Sequence, residues 1–398
     1  MIRTALFRLH WALGLTAGLV LTLLGVTGAL LSYEEAIGDW ADRDRAVVAV
    51  RNEARLGPEA LVARLQAQRP GLKVNALTFS GDPDQSPRAR FVADAGTGTR
   101  PPSVYLDPYD GRERGEARLE SMFATVRGLH RWLLVPGDGK GWGRSITGAS
   151  TIALLVFLGT GLYLRWPQIH SWRIWLKPNL KRPGRARWWS LHTIAGTWLL
   201  PVYTIIALSG LWWSYDWYRS AATWVLTGEA PREKPGRVLG RTGPTEPLAL
   251  DRAWAAFQAG EGAGARLAIV SVPGPDATAI RIRYLAHDAD HPKARSEMTF
   301  DPSTGAQRSV SRYADKPLGR RMADNMLEVH RGRFFGDPVA FVFFAASLLM
   351  PLLAVSGLVL YALRRRAARK RAMAGASGMV PSRVQMSDGT AGGAGARA

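Results

Sequence analysis

The chain has 398 residues, a formal net charge of +20 and no cysteine, which excludes disulfides, thiolate metal centres and covalently attached c-type haem. Its apolar residues gather in four blocks, unlike the spread that one soluble core requires. Its basic residues crowd the short stretches beside those blocks, so the positive charge does not read as a nucleic-acid surface.

The first block, Trp11 to Tyr33, contains no Asp, Glu, Lys or Arg and follows Arg3 and Arg8. A helix needs about 20 apolar residues to cross the hydrocarbon, and inside lipid an uninterrupted helix satisfies its own backbone. The block outruns a secretion-signal core and ends Leu31-Ser32-Tyr33-Glu34-Glu35 without a small-residue cleavage pattern. Residues 1–33 therefore read as a cytoplasmic N-terminus and a retained transmembrane helix.

Residues 34–128 mix acidic and basic side chains, as a translocated lobe does. A helical pattern over Pro58 to Gln68 precedes three β-like runs, Lys73 to Phe79, Arg90 to Ala93 and Ser103 to Leu106, closed by the turn signal Asp107-Pro108-Tyr109-Asp110-Gly111. Residues 129–166 carry Leu129-His130-Arg131 and a second apolar helix, free of charge from Ile146 to Leu164. The loop 167–189 is basic, and with Arg165 it presents Arg173, Lys177, Lys181, Arg182, Arg185 and Arg187 and no acid. By the positive-inside rule it is cytoplasmic.

The second half repeats this order. Residues 190–215 hold the third helix, charge-free from Leu191 to Tyr215; residues 216–328 form a second lobe with a helical pattern over Leu248 to Gln258. Runs at Arg266 to Val272, Ala279 to Leu285 and Ser296 to Phe300 follow, then the turn Asp301-Pro302-Ser303-Thr304-Gly305. Residues 329–363 bring Val329-His330-Arg331 and the fourth helix, charge-free from Val339, and residues 364–398 read as a basic, disordered cytoplasmic tail. Leu9-His10 leading to Gly28 matches Leu191-His192 leading to Gly210 with the same spacing, and His130-Arg131 matches His330-Arg331.

His10, His130, His192 and His330 stand at these repeated positions. Topology sorts them into a cytoplasmic-side pair, His10 with His192, and an outer pair, His130 with His330. Each pair can offer two imidazoles to opposite faces of one metal, which suits axial ligation of haem iron, one haem at each level. Gly14 and Gly18 follow His10 by one and two turns, and Gly196 follows His192 by one. They leave room for a flat macrocycle, or serve close helix packing. Arg131 and Arg331 suit haem propionates or lipid headgroups. No nicotinamide or flavin fingerprint is present, so the electron donor is a separate molecule, a quinol or a cytoplasmic reductase. His287-Asp288-Ala289-Asp290-His291 could ligate a metal but reads better as a polar loop, His170 reads as interfacial, and most tryptophans read as belt anchors. No hydrolase pattern appears.

Together, Leu9-His10 with Gly14, the turns at Asp107 and Asp301, Leu129-His130-Arg131, Leu191-His192 with Gly196, and His330-Arg331 resemble the PepSY-associated transmembrane family over about residues 3 to 366. That family includes iron-regulated membrane proteins and ferric-siderophore reductases. The resemblance implies a membrane α-helical protein of the bacterial inner membrane, a duplicated four-transmembrane-helix bundle with two periplasmic α+β PepSY-like lobes and both termini cytoplasmic. It implies further that the four histidines ligate two b-type haems and that a ferric siderophore or other iron chelate is reduced outside. The alternatives are a haem-free PepSY-type binding or regulatory protein, and a dihaem reductase of another periplasmic acceptor. The stretch Val135 to Arg144 makes the spacer after His130 longer than that after His330, a departure that would make the outer site less symmetric.

Overall fold

A computed structural model describes residues 1–377 except 95, 97, 138, 168, 231–248, 275 and 276. In chain order, α1 (Ile2–Ser32) is followed by the short α2 (Glu34–Ala41) and α3 (Arg43–Ala46), then α4 (Pro58–Gln68). Strands β1 (Val74–Ser80), β2 (Arg88–Phe91), β3 (Val104–Leu106) and β4 (Glu113–Glu116) lead to α5 (Glu120–Trp132) and α6 (Trp142–Arg165). After α7 (Trp172–Leu176) come α8 (Arg185–Ser214), α9 (Asp216–Thr227) and α10 (Leu250–Ala259). Strands β5 (Leu267–Ser271), β6 (Ile280–Leu285), β7 (Arg295–Phe300) and β8 (Gln307–Ser311) precede α11 (Leu318–Asp324), α12 (Met326–Arg331) and α13 (Asp337–Ser377).

Helices α1, α6, α8 and α13 are long and apolar enough to cross a membrane. Their outward faces are apolar too: Leu19 is 78% exposed, Trp198 53% and Phe341 60%, a surface that water would penalise and lipid would not. α1 packs on α6 and α13, and α8 packs on the same two, so α1 and α8 stand diagonally across the bundle. Its middle is filled by Ala17, Leu21, Leu154, Leu199, Tyr203, Ala346 and Met350. The Tyr203 hydroxyl donates to the Ala346 carbonyl at 2.7 Å. Pro351 interrupts α13 and has no N–H for the carbonyl of Ser347. Gly25 of α1 backs directly onto that oxygen, where a Cβ would come within 2.7 Å.

The strands differ from the sequence expectation of two separate lobes with three runs each. All eight form a single antiparallel sheet in the order β4-β3-β2-β1-β5-β6-β7-β8, with β1 and β5 joined at the centre from Ala76↔Ser271 to Ser80↔Leu267. Two isolated four-stranded units would each expose an unpaired strand edge; pairing β1 with β5 removes both. The fourth strands, Glu113–Glu116 and Gln307–Ser311, escaped the sequence reading because they are polar edge strands with no apolar alternation. Both expected turns are present between the outer strands: Asp107 Oδ1 accepts from Tyr109 N at 2.9 Å, Asp301 Oδ1 accepts from Ser303 N at 2.9 Å, and Gly111 and Gly305 take φ of 70° and 74°.

α4 and α10 lie on one side of this sheet, and their Leu61, Leu65, Ala253 and Phe257 share one core with Leu77, Phe91, Val270 and Phe300. Their N-termini cap each other: Glu59 N donates to Asp251 Oδ1 at 2.9 Å and Asp251 N donates to Glu59 Oε1 at 3.0 Å. The basic run Arg364 to Arg371, expected in a disordered tail, instead continues α13 to Ser377. The Gly-rich remainder from 378 and the expected start of the second lobe helix at Leu248 lie outside the described residues.

Candidate functional site

The four repeated histidines come together as two pairs. The ring centres of His10 and His192 are 6.3 Å apart with an interplanar angle of 83°, and those of His130 and His330 are 6.4 Å apart at 65°. Two imidazoles each about 2 Å from one shared metal put their ring centres about 6 Å apart. His10 and His192 sit near the starts of the diagonal helices α1 and α8. His130 and His330 sit on α5 and α12, just before the second and fourth long helices, and reach the far ends of α1 and α8. Seventeen residues of α1 separate His10 from Thr27, which touches His130; at 1.5 Å per residue the levels are about 25 Å apart.

Each imidazole is held by a hydroxyl one helix away. Nδ1 of His10 meets Thr160 Oγ1 at 2.8 Å, and Nδ1 of His192 meets Ser356 Oγ at 2.9 Å. Nδ1 of His130 meets Thr27 Oγ1 at 2.9 Å, and Nδ1 of His330 meets Ser209 Oγ at 2.9 Å. A hydroxyl has one proton, and each of these four is spent on its own helix. Thr27 donates to Leu23 O at 2.7 Å, Thr160 to Val156 O at 2.7 Å, Ser209 to Ile205 O at 2.6 Å and Ser356 to Leu353 O at 3.1 Å. That arrangement favours donation from Nδ1, which leaves each Nε2 with its lone pair, the form that binds a metal.

A glycine follows each hydroxyl residue, and the histidine lies against it. A Cβ on Gly28, Gly161, Gly210 or Gly357 would stand 3.2, 3.5, 3.4 and 3.5 Å from Cε1 of His130, His10, His330 and His192 respectively. The sequence reading used these glycines only as marks of repetition and missed Thr27, Thr160, Ser209 and Ser356. The available signal was a Ser/Thr-Gly pair in each apolar block, although Thr147-Gly148 shows that the dipeptide alone is insufficient: Gly148 packs against Tyr215.

Gly14, Gly18 and Gly196 have open space where a Cβ would point, with no heavy atom within 4 Å. Among the described residues no group of three or more His, Asp or Glu could hold a metal ion. Each pair thus offers two nitrogen donors, and the inner pair has a clear glycine face beside it. That donor set undersupplies a bare four-coordinate ion and fits a metal whose other ligands come from a planar ring.

The two arginines beside the outer pair differ. Arg331 has a side chain only 10% exposed and pairs with Glu34 at 3.6 Å and Glu35 at 4.0 Å. Arg131 stacks over Trp132 at 5.3 Å and enters no ion pair among the described residues. The longer spacer after His130 does not unbalance the pair. α5 ends with Leu133 and Leu134 in the left-handed region, at φ of 58° and 55°, where α12 uses Gly332 at 77°. Holding two leucines there costs about 1 kcal/mol or more each.

The sequence matches the PepSY-associated TM region over residues 7–364. The chain belongs to this family. The match begins within the first long helix, ends within the last and includes the whole sheet, so the histidine pairs lie inside the matched region. No curated protein matches the chain.

The remaining sequence candidates lie elsewhere. His291 is buried, its Nε2 3.0 Å from the Tyr313 hydroxyl and its Nδ1 accepting from Lys293 N at 3.2 Å, while His287 is exposed. Both nitrogens of His291 are thus engaged by the loop's own surroundings. His170 Nδ1 accepts from Trp175 Nε1 at 3.2 Å within the basic loop.

Proposed function

We propose that the chain is a membrane reductase with two resident b-type haems, one between His10 and His192 and one between His130 and His330. Electrons from a quinol or a cytoplasmic reductase reduce a ferric chelate such as a ferric siderophore on the sheet side. Family membership supports a membrane protein of the iron-regulated type. The basic residues of α7, its flanks and the end of α13 favour a cytoplasmic location for both termini and a periplasmic sheet, in the inner membrane.

Haem held between two imidazoles would supply one-electron carriage. The protein's own residues do the rest. Thr27, Thr160, Ser209 and Ser356 fix the ring orientation and keep the proton on Nδ1. The packed layer around Tyr203 separates the two levels and excludes water between them. Gly14, Gly18 and Gly196 leave room beside the inner pair, and Arg131, with no acid partner among the described residues, is the better candidate for a propionate than Arg331. One electron converts ferric iron in the chelate to ferrous iron, which hard oxygen ligands hold less tightly, so the chelate loosens.

The observation that carries this reading is the pairing of four imidazoles at two levels with every Nδ1 satisfied by a hydroxyl. Purified full-length protein, made with adequate haem supply, is expected to show b-type bands. His10→Ala and His130→Ala are each expected to lose about half the haem while the other site's bands persist. A colourless wild type would overturn the proposal.

A further inference from the structure

α4 and α10 cover one face of the sheet; the opposite face carries arginines. In one cross-strand row Arg88 of β2 pairs with Thr78, Thr78 with Ile269, and Ile269 with Arg283 of β6. In the next, Arg90 pairs with Ala76 and Ala76 with Ser271. Arg295 of β7 pairs with Leu285 on the same side. The two central strands thus present mostly small side chains as a floor, and the flanking strands raise guanidiniums on either side. Three strand spacings place the Arg88 and Arg283 backbones about 14 Å apart, a gap that two inward-reaching arginines can close on one small polyanion.

These arginines sit in no close ion pair, although Asp39 lies near Arg88, Glu120 near Arg90, and Glu35 and Glu328 near Arg295. Among the described residues Arg88, Arg90, Arg283 and Arg295 enter no ion pair, and the Nε atoms of Arg90 and Arg295 are buried with no hydrogen-bond partner. Burial, and then the guanidiniums of Arg100, Arg283 and Arg88, push the Arg90 pKa down; burial and then Arg283 do the same to Arg295. Nearby acids are committed elsewhere: Glu297 to Arg281 at 3.2 Å, Glu35 to Lys293 at 2.5 Å and Arg333 at 2.6 Å, and Glu120 to Ser103 N at 2.7 Å. Burial pushes the Asp39 carboxyl up, against the opposing pull of the Arg88 guanidinium.

The arginine face looks towards the end of the bundle that holds the outer histidines. Tyr105, on this face, has its hydroxyl 3.5 Å from Asp42, which follows α2. Glu35, three residues beyond the end of α1, grips Lys293 at the foot of β7, and Glu328, a neighbour of Arg295, lies two residues before His330. An oxygen-rich anion seated among these guanidiniums would be held close to the outer pair, each planar fork accommodating a carboxylate or a pair of phenolate oxygens.

We propose that this arginine face is the docking site for the electron acceptor and that it selects anionic, oxygen-rich ferric chelates over neutral hydroxamate chelates. The inference rests on the reductase reading above and names its substrate class. Gallium(III) complexes, which bind like ferric ones but accept no electron, separate docking from reduction. Full-length protein in detergent is expected to bind gallium(III) citrate more tightly than a neutral gallium(III) trihydroxamate, with affinity for citrate falling as salt rises. Arg90→Gln/Arg283→Gln is expected to weaken citrate binding at least tenfold and leave the trihydroxamate unchanged. Arg90→Lys/Arg283→Lys, which keeps charge but loses the fork, is expected to fall between and guards against a variant that fails to fold. Equal binding of the two complexes, unchanged citrate affinity in the Gln variant, or no citrate binding by wild type would overturn the proposal. Absent haem bands would sink the reductase reading instead, with the gallium isotherms still judging the site.

Discussion

Replacing Thr27 with valine keeps the shape of the side chain and deletes one hydroxyl, the acceptor 2.9 Å from Nδ1 of His130. An isolated buried donor left unsatisfied costs about 1–3 kcal/mol. The loss here is smaller than the upper figure because the Leu24 carbonyl is also within reach of the ring. About 1–2 kcal/mol remains, corresponding to roughly tenfold weaker retention of the proposed haem at the outer level, within the about 10- to 100-fold range for groups that orient a ligand from behind. Weaker donation from Nδ1 also makes the imidazole a poorer base, which favours the reduced metal; the outer midpoint potential should rise by up to about 60 mV, one tenfold differential effect for a one-electron couple. The assay is haem content per protein under limiting haem, followed by spectroelectrochemical titration. Thr22→Val is the control, because the Thr22 hydroxyl donates only to Gly18 O at 2.8 Å. Wild-type haem content and an unmoved potential in Thr27→Val, or equal effects in Thr22→Val, would refute the role assigned to the hydroxyl.

Gly25→Ala should destabilise the bundle by about 1–3 kcal/mol, because the new Cβ would stand 2.6 Å from Met350 Cβ and 2.7 Å from the Ser347 carbonyl; thermal unfolding in detergent reads this, and an unchanged midpoint would contradict the packing of α1 on α13. Glu35 joins sheet to bundle: burial pushes its pKa up, but Lys293, Arg331 and Arg333 more than reverse this and hold it at about 2, below the ordinary 4.5. A depressed folded-state pKa adds stability that is full above pH 4.5 and is lost as pH falls towards 2. Glu35→Gln should therefore be less stable than wild type at neutral pH and converge with it in that acid window. A constant difference between the two across the window would show that the contacts of Glu35 are not ionic.

Much of the architecture was written in residue order because its physics is local. Charge-free stretches such as Leu191 to Tyr215 can only be long helices in lipid, and Asp-Pro turns ending at Gly111 and Gly305 need only their own backbone. The repeated His10, His130, His192 and His330 could be picked out by spacing alone, and topology sorted them into pairs. What sequence could not supply was anything decided by elements far apart in the chain. β1 finds β5 nearly 200 residues on, since two exposed edges are more costly than the crossing; polar edge strands such as Glu113–Glu116 acquire their structure only from that partner. Arg331, a ligand partner by sequence logic, turns to Glu34 and Glu35, which lie beside it only once α1 and α12 have packed. The hydroxyls of Thr27, Thr160, Ser209 and Ser356 look like ordinary helix residues until a neighbouring helix brings each an imidazole. A hydrogen bond needs its two atoms within about 3 Å, and only the packed bundle sets that distance.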